Sequence, residues 1–226
     1  MQNRSAKDTR IIKPPPVSEL AMQRLRSEII EGVFRLGEKL SEAQLAKRYG
    51  VTKAPIRAAF SRLQGEGLLD VRPQSGTFIF LPDVDEVRAL CELRTALEME
   101  AVALAMARNR DVLLSELQKL FNRMTSCVKS GNRSTYQDLD SAYHLVILES
   151  AKSPMLKETY QAMVNGRFSA LRTRLSVQKE HAENSYREHR ALIELIEKGK
   201  TKAAQDLLRD HISRTEEHYS KMLKSR

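Results

Sequence analysis

The sequence predicts a mainly α-helical protein, in which a small domain of short helices and a β-hairpin precedes an all-α bundle of six helices. Turn residues supply the first observation, since six of nine Gly and six of seven Pro lie within residues 1–82 of the 226-residue chain. After residue 83, apolar residues recur with helical period in almost every segment. Asp83 and Glu86 have capping-box spacing directly after Pro82, which starts a new helix there. The predicted divisions are a basic flexible tail at 1–16, a first domain at 17–82 and a helical domain at 83–226.

The composition excludes several classes of protein. A hydrophobic share of 41% beside 30% charged residues argues against general disorder. No apolar run approaches the roughly 18 residues of a membrane span, and the N-terminus lacks the apolar core of a secretory signal. Cys91 and Cys127 lie far apart, which indicates two buried thiols rather than a disulfide or a metal motif. The sequence therefore predicts a cytoplasmic protein with no membrane association.

The positive charge is concentrated at the N-terminal end. The chain has 38 Lys and Arg against 29 Asp and Glu, a net charge of +9, and residues 1–82 carry +6 of it. A phosphate-rich partner accounts for a basic segment, because each cation that neutralises a phosphate releases condensed counterions. The distribution predicts that the first domain binds nucleic acid.

Three helices are predicted in the first domain from their N-terminal caps, Ser18, Ser41 and Thr52. The first helix ends at Gly32 and the second at Gly50, because glycine adopts the left-handed conformation that closes a helix. The tight turn at Gly50 leads directly into the third helix. Two short helices joined by such a turn are typical of a helix-turn-helix unit.

The third helix, which begins at Thr52, has two unlike faces. Ile56, Phe60 and Leu63 follow the i, i+4, i+7 spacing of an inward face. Lys53 and Arg57 then lie on a polar stripe, so the exposed N-terminal part of the helix is basic. A helix with this character can enter the major groove of DNA.

Residues 68–80 are predicted to form strand, turn and strand, which is a wing. With this hairpin, the runs 37–59 and 63–68 resemble the winged helix-turn-helix of GntR-type bacterial transcription regulators. The resemblance covers about sixty residues without a gap. It implies DNA contacts by recognition-helix and wing-tip residues at the matching positions, which are Thr52, Lys53, Arg57, Ser75 and Gly76.

The second domain is divided by glycine and proline into six segments of helical period. Gly131, Pro154 and Gly199 fall between the segments and end or start helices. The core of a helical bundle is a natural place for a ligand site. The predicted helices lie near residues 84–108, 112–130, 134–151, 154–176, 182–198 and 201–224.

Four polar residues on apolar helix faces predict a metal site in this bundle. Asp140 and His144 are i, i+4 on one face, which brings a carboxylate and an imidazole together. His189 and His211 each share a stripe with aliphatic residues on later helices. Three histidines and one aspartate from three helices form a plausible site for a divalent ion, with zinc first and nickel or manganese as alternatives. The spacing leaves a second interpretation open, in which each histidine is a hydrogen-bonded core residue.

The same residues resemble the FCD-type effector domain of the FadR branch of GntR regulators. The six helices are similar to the shorter VanR-type members of that branch. The resemblance implies that Asp140, His144, His189 and His211 bind the metal, and that a small organic acid effector binds beside it. Arg94 and Arg172 are the candidates to hold that effector, with an interhelical salt bridge as the alternative role of each. The matching motifs are Asp140-x-x-x-His144, Glu188-His189-Arg190, Asp210-His211 and Arg94-x-x-Leu97-Glu98.

These observations lead to one function and two alternatives. The predicted protein is a metabolite-responsive transcription factor and not an enzyme. It is expected to be a repressor that binds a palindromic DNA operator as a homodimer. The effector is expected to act on the DNA-binding domains through the bundle and the 81–84 linker. The alternatives are a metal-dependent hydrolase with a basic accessory domain and a purely structural metal site.

Overall fold

The computed structural model describes residues 14–176 and 179–225. Most of the basic tail predicted at residues 1–16 therefore lies outside the described residues. The first domain contains α1 (Val17–Ile30), β1 (Lys39–Leu40), α2 (Glu42–Tyr49), α3 (Lys53–Gly65), β2 (Leu69–Arg72) and β3 (Gly76–Ile79). The second contains α4 (Val84–Ser130), α5 (Arg133–Ser150), α6 (Pro154–Tyr160), α7 (Gly166–Leu175), α8 (Lys179–Glu197) and α9 (Thr201–Lys224). This mainly α architecture confirms the predicted fold class.

The helix ends in the first domain follow from local hydrogen bonding. The α1 helix begins at Val17, one residue before the predicted cap Ser18, because the Pro16 carbonyl already accepts bonds from the backbone amides of residues 19 and 20. Ser41 caps α2 as predicted, since its Oγ accepts the Gln44 amide. Gly50 adopts a φ of +67° and turns the chain into α3.

The wing is a three-stranded antiparallel sheet in the order β1-β3-β2. Phe78 on β3 lies opposite Lys39 on β1 and opposite Asp70 on β2. The hairpin between β2 and β3 was predicted, whereas β1 was not. Two residues carry no recognisable strand period, so this strand exists only through its pairing with β3.

The inward face of α3 packs as its spacing predicts. Ile56, Phe60 and Leu63 are all buried. They lie against α1, whose Leu25 and Ile29 are fully buried in the same core. The opposite face of α3 is exposed, which leaves its basic residues on the surface.

The first helix of the bundle is long and kinked. The α4 helix runs for 47 residues and is broken at Asn109, whose φ of −156° and ψ of 38° are not helical. Arg108 donates to the carbonyl of Ala151 and Arg110 to that of Glu197, at the ends of α5 and α8. These cations satisfy carbonyls that have no partner within their own helices. The two predicted helices at 84–108 and 112–130 are therefore the two arms of α4.

The predicted helix at 154–176 contains a feature that periodicity does not show. A π-helical turn, Gln161–Asn165, separates α6 from α7. Such wide turns are rare and occur frequently at functional sites. Elsewhere in the bundle, α4 packs mainly against α5 and α9. Within residues 14–176 and 179–225, no helix combines the length and apolarity needed to span a bilayer.

Two glycine substitutions are expected to change stability in opposite directions. Gly50→Ala should lower the free energy of unfolding by about 1 kcal/mol, because a φ of +67° disfavours any side chain even though the surrounding space is open. Gly65→Ala, the matched control at the end of α3, also meets open space and should raise it by about 0.5 kcal/mol. Urea unfolding of the three proteins measures both changes. Equal changes of one sign would contradict the left-handed turn at Gly50.

Candidate functional site

Three histidines meet at the centre of the helical domain. His144 lies on α5, His189 on α8 and His211 on α9, and all three are buried. One ligand nitrogen of each lies within 4.8 Å of those of the other two. We call this set the three-histidine cluster. The predicted convergence of histidines from three helices is confirmed for these three residues.

Carboxylates behind the cluster orient two of the imidazoles. The Nδ1 atom of His144 lies 2.8 Å from Glu98 Oε2, and the Nδ1 atom of His211 lies 2.6 Å from Glu188 Oε2. A carboxylate on one ring nitrogen fixes the ring and leaves the other nitrogen available for a metal. Glu188 therefore lies behind an imidazole and not beside the space where a metal-bound water would be. This placement argues against Glu188 as the general base of a hydrolase.

The protonation of the cluster suits a cation. Burial lowers the pKa of His144 to about 4, although the Glu98 carboxylate acts in the opposite direction. Burial also holds the pKa of His189 well below its ordinary value. Both rings are therefore neutral at pH 7, and neutral imidazole is the form that binds metal. Three neutral or carboxylate-backed imidazoles form a donor set that fits a divalent ion such as Zn²⁺.

Asp140, the fourth predicted ligand, borders the cluster and is shared with an arginine. Its Oδ2 atom lies 2.7 Å from Arg172, and its Oδ1 atom lies 3.6 Å from His189 Nε2. Burial acts to raise the pKa of the Asp140 carboxyl, but Arg172 and the histidines outweigh burial and lower it. The carboxylate is thus ionised and engaged by Arg172. Its role as a metal ligand stays a prediction.

Arg94 is completely buried beside the cluster. Its Nε atom donates to Glu98 Oε1 at 2.7 Å, and its guanidinium lies 4.0 Å above the centre of the Phe168 ring. Its Nη2 atom has no hydrogen-bond partner among the described residues. Although burial favours the protonated form, Arg94 and His144 together hold the pKa of the Glu98 carboxyl well below its usual range. Arg94 therefore combines a structural ion pair with an unused donor.

A small cavity connects the two predicted effector residues with the cluster. Its volume is about 40 Å³, which is room for about three water-sized spheres. Arg94, Asp140, Arg172 and His211 all line it. A larger cleft of about 290 Å³ between α8 and α9 shares His211 and other residues with the cavity. The cavity and the cleft are therefore neighbours along these two helices.

The predicted DNA-contacting residues on α3 lie on its exposed face. Thr52 precedes the helix, with no cap bond from its side chain, and Lys53 is the first helical residue. Arg57 lies one turn further along and pairs with Glu42 of α2 at 2.8 Å. The structure thus places all three side chains on one surface. Their contact with DNA stays a prediction.

The predicted wing-tip residues lie at the turn between β2 and β3. Ser75 is exposed, and Gly76 has a φ of +116°. A Cβ atom at Gly76 would lie 2.8 Å from the Lys39 side chain, so a larger residue there would displace that cation. Lys39 is a basic residue at the wing tip that the sequence did not single out. It comes to the tip only because β1 pairs with β3.

Several residues of the buried site could not be assigned from the sequence. Tyr160 donates to Glu98 Oε1 at 3.0 Å, and Phe168 supports the Arg94 guanidinium. Glu188 is next to His189 in sequence, yet its carboxylate contacts His211 on the neighbouring helix. For Tyr160 and Glu188, a polar residue on a mostly apolar helix face is the available sequence signal.

Comparisons with known proteins agree with this arrangement of two domains. Residues 17–79 match the family of bacterial regulatory proteins named gntR, and residues 89–214 match the FCD domain. The HTH-type transcriptional regulator YdhC of Bacillus subtilis is 29% identical over 220 residues, covering 96% of each chain. The HTH-type transcriptional repressor GlaR of Escherichia coli is 29% identical over 197 residues, covering 83% of this chain and 89% of its own.

A solved structure shows the same fold. The E. coli protein McbR/YncC superimposes with a TM-score of 0.80 at 18% identity, covering 92% of this chain and 99% of its own. The matched families and the curated relatives are transcriptional regulators, which confirms the prediction of a regulator rather than an enzyme. The chain therefore belongs to the GntR family of bacterial DNA-binding transcriptional regulators and carries an FCD domain.

Proposed function

We propose that this regulator is a metal-dependent sensor of a small organic acid, and that it represses transcription from the cytoplasm. The observation that carries the proposal is that Arg94, whose Nη2 has no hydrogen-bond partner among the described residues, lines the same cavity as Arg172 and His211. A buried donor without a partner is costly, and a carboxylate is the ligand that satisfies a guanidinium best. The cavity therefore suits a small anion.

Different residues of the site would bind the metal and the effector. His144, His189 and His211 would hold the divalent ion, with Asp140 as a further oxygen ligand. A bound ion would supply positive charge and an open coordination position for a carboxylate oxygen. Arg94 would then hold the other end of the anion. Glu98 keeps both Arg94 and His144 in place for these roles.

Homodimeric binding to a palindromic operator is supported by the geometry that such sites require. Two recognition helices must be held about one DNA turn apart to read two half-sites, which a dimer provides. Repression is supported by relatives named as repressors, GlaR among them. We propose that α3 enters the major groove and that the wing tip follows the adjacent backbone.

The effector is tested by thermal-shift screening of metal-loaded protein against small organic acids, with and without chelator. A stabilising acid whose effect disappears with chelator supports the proposed site. The same titration of an Arg94→Lys variant should show a smaller shift, because lysine cannot present two donors to a carboxylate. A thermal shift that is unchanged both by chelator and by the Arg94→Lys substitution would contradict an effector bound beside the metal.

Two substitutions on α3 are expected to weaken DNA binding. Lys53→Ala and Arg57→Ala should each reduce affinity about tenfold, because each removes one cation from the surface that faces the phosphates and bases. Arg123→Ala, an exposed cation on α4, is the matched control and should bind as wild type does. A fluorescence titration at two salt concentrations, on a duplex selected by the wild-type protein from a random library, measures all three. Equal affinity of the α3 variants and the control would contradict the assigned DNA surface.

A further inference from the structure

Helix α7 lies between the buried site and the DNA-binding domain, with a different partner on each face. Phe168 packs under Arg94, and Arg172 pairs with Asp140 at 2.7 Å. At about 100° per residue, Arg172 lies roughly 40° around the helix from Phe168, whereas Thr173 lies roughly 140° away. Thr173 therefore points away from the site, towards the winged domain.

Arg174 makes the principal polar contact between the two domains. It donates to the Ile29 carbonyl at 2.7 Å and to the Phe34 carbonyl at 2.6 Å. Ile29 lies in the last turn of α1, where its carbonyl also accepts the backbone amide of Gly32 at 3.3 Å. A cation at a helix C-terminus is also favoured by the helix dipole. Arg174 therefore ties the end of α1 to α7.

Close packing extends this contact along α7. A Cβ atom at Gly166 would lie 3.2 Å from Leu68, at the start of the wing. At the other end of α7, a Cβ atom at Gly32 would lie 3.6 Å from the Thr173 side chain. Packed protein surfaces have little compressibility, so a shift of α7 displaces what it touches. The winged domain is thus in contact with both ends of the helix.

Polar contacts hold the opposite face of α7 to α5, next to the three-histidine cluster. Arg172 donates to Ser141 Oγ as well as to Asp140, and Ser141 Oγ lies 3.0 Å from Ser169 Oγ. An Asp140 carboxylate that bound a metal would hold Arg172 less strongly, because its charge would be shared. The π-helical turn before α7 is a wide turn in which the register of a helix can change.

We infer that α7 couples the metal site to the orientation of the DNA-binding domain, and that Arg174 is the positioning residue of this coupling. When Arg172 is paired with Asp140, α7 keeps the position described above and Arg174 donates to the carbonyls at the end of α1. When Asp140 instead binds a metal, α7 would shift and the hydrogen bonds from Arg174 to α1 would weaken. This contact acts beside the covalent linker at residues 81–84. The inference rests on the proposed function, because it uses the three-histidine metal site.

The experiment uses Zn²⁺ alone as the probe and four full-length proteins. They are the wild type, Arg174→Gln, Arg174→Lys and the control Arg108→Gln, which removes a matched arginine that donates to two carbonyls inside the helical domain. Hydrogen exchange of amides 27–34 is measured with and without Zn²⁺. Zn²⁺ affinity is measured by competition with a chromophoric chelator.

Zn²⁺ should raise exchange of amides 27–34 in the wild type and in Arg108→Gln. In Arg174→Gln these amides should exchange rapidly with or without Zn²⁺. Coupling is reciprocal, so Arg174→Gln should also bind Zn²⁺ about fivefold more tightly than the wild type. Arg174→Lys, which keeps a cation at the end of α1, should restore part of both properties.

The outcomes separate this inference from the proposed function. Equal Zn²⁺ affinity in the wild type, Arg174→Gln and Arg174→Lys would overturn the coupling and leave the metal site intact. Hydrogen exchange of amides 27–34 in the wild type that is the same with and without bound Zn²⁺ would also overturn the coupling. A wild type that does not bind Zn²⁺ would overturn both the metal site and the coupling.

Discussion

His189→Ala is expected to abolish the stabilisation that Zn²⁺ gives to this protein. Ligand at a thousand times its Kd stabilises a native state by about 4 kcal/mol, which raises the Tm of a chain of this size by about 10 °C. His189 supplies one of three buried ligand nitrogens within 4.8 Å of one another. Without it, two imidazoles remain, and the Zn²⁺-dependent rise in Tm should be almost lost.

The control for this prediction is His218→Ala. His218 stacks on His181 at a ring distance of 4.2 Å and lies outside the three-histidine cluster. Its variant should keep the full Zn²⁺ response. Thermal unfolding with Zn²⁺ and with chelator measures both proteins. A similar loss of response in both variants would show that Zn²⁺ binds elsewhere.

Arg94→Ala is expected to lower the free energy of unfolding by about 3–5 kcal/mol, because it leaves the Glu98 carboxylate buried without its cation. Both side chains are at most 1% exposed, so water cannot replace the lost partner. The substitution also removes the group that packs on Phe168. Urea unfolding of the effector-free protein measures the change.

A double variant separates the ion pair from packing. Arg94→Met with Glu98→Gln removes both charges and keeps similar volumes, so it should recover most of the stability that Arg94→Ala loses. It should nevertheless fail to respond to any acid effector, since the unpartnered donor is gone. An Arg94→Ala protein as stable as the wild type would show that Glu98 has another adequate partner in His144 and Tyr160.

The sequence was most informative where a motif is contiguous. Ser41, Gly50 and the apolar spacing of α3 specify a helix-turn-helix by local hydrogen bonding and local periodicity, and the structure follows them closely. The capping box of Asp83 and Glu86 is also formed as its spacing predicts. Departures occur where a partner distant in sequence decides the outcome, as with β1. Its two residues become a strand only beside Phe78 and Thr77.

For the buried site, periodicity selected the residues but not their contacts. Each histidine could be placed on an apolar helix face, because side-chain direction repeats every 3.6 residues. Whether three such faces meet depends on how α5, α8 and α9 pack. The same packing gave Asp140 an arginine partner and placed Glu188 behind His211. It also left Nη2 of Arg94 without a partner among the residues that the structure describes.

By itself, the sequence determined the order of the helices and of the wing hairpin, the resemblance to a family and the concentration of positive charge in the first domain. These properties depend on local conformational preference and composition, which a linear pattern records. The tertiary structure alone decided which charges are paired, which histidines meet and how α7 contacts both domains. Such contacts join residues up to 145 positions apart, as in the bond from Arg174 to Ile29. The packing of helices brings them together, and no local pattern encodes that distance.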